Sequence, residues 1–368
     1  MFDSIYDQLT PARDEAKDYL ISQGYRPSIF ERNNFLTFFS NIPVVAKLIG
    51  EEPEILFFAA FQWIIIFLAY VAWTQMLHWI PDSIWQVAEA ASQQGQKGGF
   101  TCINLVLLAW SFFVVCVASY PIGLCSSAMV AVHDLHFKGE KITLARCLAI
   151  ADCHISRIWM FTAIDSWITV NAILDRLPKR QYDRTAGDEF LYYAWKVSTM
   201  GVVPALVNGR GFLNAGKDSL RLLTSQPARA LGLRLGYSAI CWVIGILSYI
   251  GAIYVFIHFG NSKEGPHYIY DFYLLMAGPI FVSVGIISVF VRPFFLLGVA
   301  KFYTDIVDVT EEIERDIVFI PTWESFLFSW KTGLFLSMLT TLLIALFFGD
   351  QIGLTAWINH LAQKDLLH

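Results

Sequence analysis

The chain contains a run of nineteen residues, from Ile55 to Trp73, that carries no charged side chain (ILFFAAFQWIIIFLAYVAW). A helix needs about 20 apolar residues to cross the ~30 Å hydrocarbon core of a bilayer. Further apolar stretches follow along the chain, and charged residues make up only 15% of it, against roughly 25% in a typical soluble domain. The sequence therefore predicts an all-α protein, a polytopic transmembrane helical bundle.

The apolar stretches predict six to seven spans. The second is over-long and contains Pro121 and Gly123, which predicts a kink or break near Tyr120–Gly123. The third and fourth are short, so whether both of them fully cross is left open. The predicted spans cover residues 55–80, 100–132, 158–174, 190–207, 235–259, 272–300 and 326–348.

Three regions of different character are expected along the chain. Residues 1–54 form an amphipathic N-terminal segment, cytoplasmic or interfacial, in which apolar residues recur at helical spacing up to Leu20. Residues 55–348 form the bundle. Residues 349–368 are expected to form an interfacial C-terminal helix. No polar stretch after residue 55 is long enough to indicate a separate soluble domain.

Lysine and arginine in the loops predict the orientation, because basic residues accumulate on the cytoplasmic side. The loops at 81–99 and 260–270 carry one lysine each, Lys97 and Lys263. The segments that alternate with them are richer in basic residues, which places the N-terminus in the cytoplasm. The 175–189 loop disagrees, since it holds four basic residues on the opposite side.

Charged residues at membrane depth are the first candidates for function, because each is costly there and usually faces the bundle interior. Asp165 and Lys196 lie on consecutive short segments, at similar depths counted from the loop that joins them. They could form a static structural contact or a gated polar site on a transport path. Arg292 precedes Pro293; it either faces the interior or extends to lipid phosphate.

A second polar group is a weaker candidate, for a metal site. His133 and His136 would share a helical face, a spacing that two metal ligands can use, and Asp152 and His154 follow. A polar stretch at the membrane interface explains these four residues equally well. The sequence contains no HExxH, GxSxG or P-loop motif, so neither a cofactor nor an enzymatic activity is expected.

Part of the chain resembles a known group of membrane proteins. The residues that carry the resemblance are Ala194–Trp195, Val202–Leu206, Ala215 and Ser219–Leu220, with Leu144–Arg146 and Arg157–Trp159 upstream. Over about residues 140–250 the chain resembles a bacterial polytopic family of unassigned function, similar to the membrane domain of some glycerophosphodiester phosphodiesterases. The resemblance implies a helical bundle of about six spans in the bacterial inner (plasma) membrane. It carries over no catalytic residue.

Three classes of function remain open. The favoured one is a non-enzymatic subunit or scaffold of a membrane complex, with membrane protein partners or a second copy of the chain. The alternative is a transporter or channel for a small polar or anionic solute or lipid, with a polar site near Asp165 and Lys196. An intramembrane enzyme acting on lipid is the third. The lipid bilayer is an expected partner, whereas nucleic acid is not, because the net charge is −5.

Overall fold

The computed structural model describes residues 37–79, 102–137, 139–174, 186–259, 279–280, 282–307 and 330–367. Within these ranges the chain is helical, with short turns and no strand. The helix predicted in residues 1–24 lies outside the described residues, as do the loops at 81–99 and 175–185. The all-α fold class is confirmed.

Twelve helices have their bounds in the described ranges. In chain order they are α1 (Thr37–Glu51), α2 (Glu54–Trp79), α3 (Cys102–Phe137), α4 (Leu144–Cys153), α5 (Ile155–Leu174), α6 (Ala186–Ser198), α7 (Val202–Val207), α8 (Phe212–Ser225), α9 (Pro227–Phe259), α10 (Arg292–Val307), α11 (Trp330–Phe348) and α12 (Leu354–Leu367). Residues 282–290 are also helical and lead into α10 through a turn at Val291.

Six stretches in the described ranges are long and apolar enough to cross a membrane. The bent pair α4 and α5, which meet at 82°, would add a seventh if it is one span. The prediction of six to seven spans is confirmed. The six stretches are Glu54–Gln75, Leu105–Phe137, Phe190–Val207, Pro227–Tyr254, Val282–Ile306 and Trp330–Phe348.

Large apolar side chains cover the outer surface of these spans. A soluble monomer rarely exposes apolar patches beyond a few hundred Å², whereas here whole helix faces are exposed. The chain is therefore a multi-pass membrane protein, and these faces contact lipid. The exposed residues include Phe57, Phe61, Ile64, Phe67 and Leu68 on α2, Trp242, Val243, Ile246, Leu247 and Ile250 on α9, and Leu334, Leu336, Leu343, Ile344 and Phe347 on α11.

Helix α3 is the centre of the bundle, where it contacts α2, α4, α5, α7, α10, α11 and α12. Its second half is almost continuously buried and rich in small residues, among them Ala118, Ser119, Ser127, Ala128 and Ala131. Small side chains allow neighbouring helices to approach closely, which is the main source of helix association in a membrane.

Of the predicted kink or break near Tyr120–Gly123, the break is wrong, because α3 is continuous from Cys102 to Phe137, while a kink there stays a prediction. Proline at position 121 removes one backbone donor from the helix. In the preceding turn, the indole Nε1 of Trp159 on α5 donates to the Cys116 carbonyl at 2.8 Å. The carbonyl that loses its helical donor is that of Val117, four residues before Pro121, so the Trp159 bond supports the same turn and does not replace the missing bond. The helix nevertheless continues past the proline.

The span at Phe190–Val207 is interrupted between α6 and α7, where Thr199, Met200 and Gly201 form a turn. Pro204 lacks the donor that would continue the helix through this point. Ser219 of α8, which is fully buried, satisfies the open backbone. Its Oγ accepts from the Gly201 N–H at 3.0 Å and donates to the Ser198 carbonyl at 2.6 Å.

Replacing Ser219 with alanine is expected to lower the free energy of unfolding by about 1–2 kcal/mol, because two buried backbone groups lose their partner. Thermal unfolding in detergent measures the change. Thr224→Ala is the matched control, since Thr224 is exposed and donates only to the Arg221 carbonyl of its own helix. Equal melting temperatures for the two variants would contradict the assigned role of Ser219.

Helix α1, in the region expected to lie at the interface, packs against α9 and α10. A Cβ atom added at Gly236 would lie 2.6 Å from the Cβ of Phe38, so glycine is what allows α1 and α9 this close. At the end of α1, Glu51 and Glu52 contact His136 of α3, at 3.6 and 3.2 Å. We call this end of the bundle the basal face. The starts of α2 and α9 and the ends of α3 and α10 lie there.

Candidate functional site

The two intramembrane residues predicted to lie at the same depth are in contact. The Nζ of Lys196 on α6 lies 2.5 Å from Oδ1 of Asp165 on α5. The Lys196 side chain is 12% exposed and that of Asp165 is 29% exposed. The two side chains therefore form an ion pair between α5 and α6, in which Lys196 is more deeply buried than Asp165.

Aromatic groups surround this ion pair on the α6 side. The indole Nε1 of Trp195 donates to the same Asp165 oxygen at 3.1 Å. The Lys196 ammonium lies 5.9 Å from the centroid of the Tyr192 ring, within range of a cation–π interaction. Asp165 thus receives two donors on one oxygen.

Arg292 faces the interior of the bundle. Its Nη2 donates to Ser126 Oγ of α3 at 3.1 Å. The same hydroxyl contacts Gln62 Nε2 of α2 at 2.7 Å, and this amide also donates to the Ile122 carbonyl at 2.9 Å. The alternative in which Arg292 extends to lipid phosphate is not what the structure shows. A polar network of three helices holds the guanidinium instead.

The span that carries Arg292 has one irregular residue. Val291 forms a turn between the helical residues 282–290 and α10, and Pro293 cannot donate to the carbonyl one turn earlier. The helical hydrogen bonds nevertheless continue through the turn, because the Val291 N–H donates to the Ile287 carbonyl at 3.0 Å and the Phe295 N–H donates to the Val291 carbonyl at 3.3 Å. The span is therefore locally irregular at Val291 but not broken.

A third cation near this site, Arg234, was missed by the sequence analysis. Its guanidinium lies 5.4 Å from the centroid of Tyr237 and 5.5 Å from that of Phe295. Its Nε is buried and has no hydrogen-bond partner. In the structure Arg234 lies seven residues inside α9. The predicted span began one residue later, at Leu235, and left Arg234 in a loop.

These three cations, Lys196, Arg234 and Arg292, form what we call the cationic cluster. Arg234 contacts Phe295, which lies one turn after Arg292 on α10, and α9 packs against both α10 and α6, the helix of Lys196. Both arginines are close enough to Lys196 to repel its charge. Asp165 pairs with Lys196, while neither arginine has a carboxylate partner in the part of the chain that the structure describes. The cluster with Asp165 therefore carries a net charge of about +2.

The residues proposed as metal ligands do not converge. His136 contacts Glu51 and Glu52 at the basal face, whereas His154 lies at the bend between α4 and α5, beside Gly209. Asp152 is buried nearby on α4, and His133 is half-buried on α3. Among the described residues, no three His, Cys, Asp or Glu side chains are arranged to hold a metal ion.

Comparison of the chain with protein-family models, with curated proteins and with solved structures finds no match. The resemblance over residues 140–250 therefore stays a prediction. Any functional conclusion has to come from the geometry of the bundle itself.

Proposed function

We propose that this protein transports a small anionic solute or lipid across the membrane, and that the solute passes through the cationic cluster. The observation that carries the proposal is the charge imbalance in the interior. In the described residues, one carboxylate is paired with these three cations: Asp165, which contacts Lys196. A static scaffold gains nothing from this imbalance, whereas a site for an anion requires it.

The energetic argument is direct. A charged side chain at the centre of a membrane helix costs roughly 2.5–3.5 kcal/mol on insertion scales. Such residues are rare for this reason and usually belong to substrate or ion pathways. An anion bound between the arginines would offset the cost of both of them.

Two of the three cations lie on helices with an irregular residue or turn. Lys196 precedes the turn between α6 and α7, and Arg292 follows the single turn residue Val291. The 82° bend between α4 and α5 lies on the chain segment that carries Asp165. Transporters commonly bind substrate between discontinuous helices near the middle of the membrane. The turn between α6 and α7 and the bend between α4 and α5 are where we expect the bundle to change shape during transport.

The test is flux of labelled anions into proteoliposomes that contain the purified full-length protein. We expect uptake above that of protein-free vesicles, and we expect Asp165→Asn and Lys196→Met each to reduce it at least tenfold while the protein remains folded by circular dichroism. Arg229→Gln, which removes a pair with Asp305 at the basal face, should leave the flux unchanged. Absence of uptake by the parent protein would end the proposal.

The second candidate is a subunit or scaffold of a membrane complex. One observation favours it: Trp242, Leu247 and Tyr254 are more than half exposed on α9, around Gly251, which has open space beside it. Another helix could approach closely at such a glycine. Purification in mild detergent tests this candidate, because a stoichiometric partner should then co-purify. A lone monomer in native mass measurement would count against it.

For the location we retain the prediction of the bacterial inner membrane, with the N-terminus and the basal face in the cytoplasm. The distribution of lysine and arginine supports this orientation. Labelling a single cysteine introduced at Lys47, which is 78% exposed near the basal face, tests it. In intact cells a membrane-impermeant reagent should not reach this position.

A further inference from the structure

We propose that the cationic cluster binds a terminal phosphate group in its dianionic form, and that Asp165 is the internal counter-ion that this group displaces from Lys196. The proposal deepens the proposed function by naming its substrate class, although binding does not itself depend on transport. The shared chemistry is a terminal phosphate dianion. It could be free inorganic phosphate or the headgroup of an anionic lipid with a terminal phosphate.

Charge matching selects the dianion over other anions. The cluster with Asp165 carries about +2, and a phosphate monoester carries about −1.5 to −2 at neutral pH. A chloride, a carboxylate or the phosphodiester of an ordinary phospholipid carries one negative charge. Each of those would leave roughly one positive charge uncompensated at membrane depth.

The donor geometry also fits a phosphate. Arginine presents a planar set of N–H donors that matches two phosphate oxygens at once. The guanidinium of Arg234 lies against the Tyr237 and Phe295 rings, and its Nε has no hydrogen-bond partner. Arg292 uses Nη2 on Ser126, which leaves its other nitrogens free of any described partner. Both guanidiniums are therefore positioned before a ligand arrives.

When phosphate binds, we expect Lys196 to exchange Asp165 for the phosphate as its partner. In the structure, Asp165 Oδ1 takes a bond from Lys196 Nζ and another from Trp195 Nε1. An incoming dianion repels the Asp165 carboxylate and offers Lys196 more negative charge than the carboxylate does. Lys196 then turns to the phosphate, while Trp195 can keep its bond to Asp165. No covalent bond forms or breaks in this exchange.

The experiment measures binding of inorganic phosphate to the purified full chain in zwitterionic nanodiscs by titration calorimetry. We expect Arg234→Gln and Arg292→Gln each to weaken binding at least tenfold. Asp165→Asn should strengthen it about tenfold, since the competing carboxylate is gone. Arg229→Gln is the matched control, because that arginine already pairs with Asp305 at 2.6 Å, and it should bind like the parent.

A second arm separates the two sources of phosphate. Nanodiscs that contain phosphatidic acid, a monoester lipid, are compared with nanodiscs that contain phosphatidylglycerol, a diester lipid. If the ligand is a lipid, phosphatidic acid should remain bound in native mass spectra and should exclude inorganic phosphate. If it is soluble, only inorganic phosphate should bind.

Three results would overturn the inference: no binding of either inorganic phosphate or phosphatidic acid, equal losses of phosphate binding in Arg229→Gln and Arg234→Gln, or phosphatidylglycerol bound as tightly as phosphatidic acid. Asp165→Asn is expected to strengthen phosphate binding, whereas the loss of a merely structural contact would weaken it. If that variant does not fold, the comparison of Arg234, Arg292 and Arg229 still decides. Phosphate binding without flux would overturn the transport proposal and leave the phosphate site intact. Flux of another solute without phosphate binding would overturn the phosphate site and leave the transport proposal intact.

Discussion

Replacing Asp165 with asparagine is expected to destabilise the protein more than replacing Lys196 with methionine. Removing one member of a buried ion pair costs about 3–5 kcal/mol when it leaves the other charge uncompensated. Asp165→Asn does this fully, because three cations then share the interior with no carboxylate described among them. We expect a loss near the lower end of that range, about 3 kcal/mol, since Asp165 is 29% exposed.

Lys196→Met should cost less, because the Asp165 carboxylate keeps its bond from Trp195 and is 29% exposed. The mutation also removes the repulsion that both arginines exert on Lys196. The double variant Asp165→Asn with Lys196→Met should be more stable than Asp165→Asn alone. Thermal unfolding in detergent, with and without added phosphate, measures all four proteins.

The matched control for this cycle is the pair of Arg229 and Asp305 at the basal face. Asp305 is 40% exposed, and pairs that solvent reaches contribute about 0–1 kcal/mol. Asp305→Asn should therefore change the melting temperature little. If Lys196→Met proved as damaging as Asp165→Asn, the ion pair would be an isolated structural contact, and the charge imbalance of the cluster would have no energetic consequence.

The fold class and the number of spans could be predicted because uncharged stretches of about 20 residues have few other uses in a protein. The contact between Asp165 and Lys196 was also within reach of the sequence. The two residues lie at comparable distances from a common loop, and charges at membrane depth seek partners. In both cases the high free-energy cost of placing a group in the wrong environment, apolar side chains in water or unpaired charges in lipid, leaves few structures open.

Other parts of the site gave no such signal. Gln62 is fully buried and bonds to Ser126, but one neutral amide hardly changes the hydropathy of an apolar helix. Arg234 lies one residue before the predicted span, and the two rings that contact its guanidinium, Tyr237 and Phe295, come from two helices that only the fold brings together. Contacts that depend on how helices pack cannot be read from the period of one helix.

Gly123 is another residue whose role depends on how helices pack. Next to Pro121 it was read as part of a helix break, whereas in the structure it is a contact between α3 and α5. A Cβ atom added there would lie 2.8 Å from Thr162 Oγ1 and 3.1 Å from Ile158 Cγ2. Both neighbours are buried and β-branched, so their side chains have little freedom to move aside.

Gly123→Ala is therefore expected to lower the free energy of unfolding by about 2 kcal/mol, within the range found for overpacked cores. Gly251→Ala on α9 is the control, since nothing lies within 4 Å of its added Cβ, and alanine in a helix interior is favoured over glycine by roughly 0.5–1 kcal/mol. Thr162→Ala should restore most of the loss, because it removes the closest atom. Thermal unfolding in detergent compares the variants. A Gly123→Ala protein as stable as the Gly251→Ala protein would mean that α3 and α5 do not approach each other this closely.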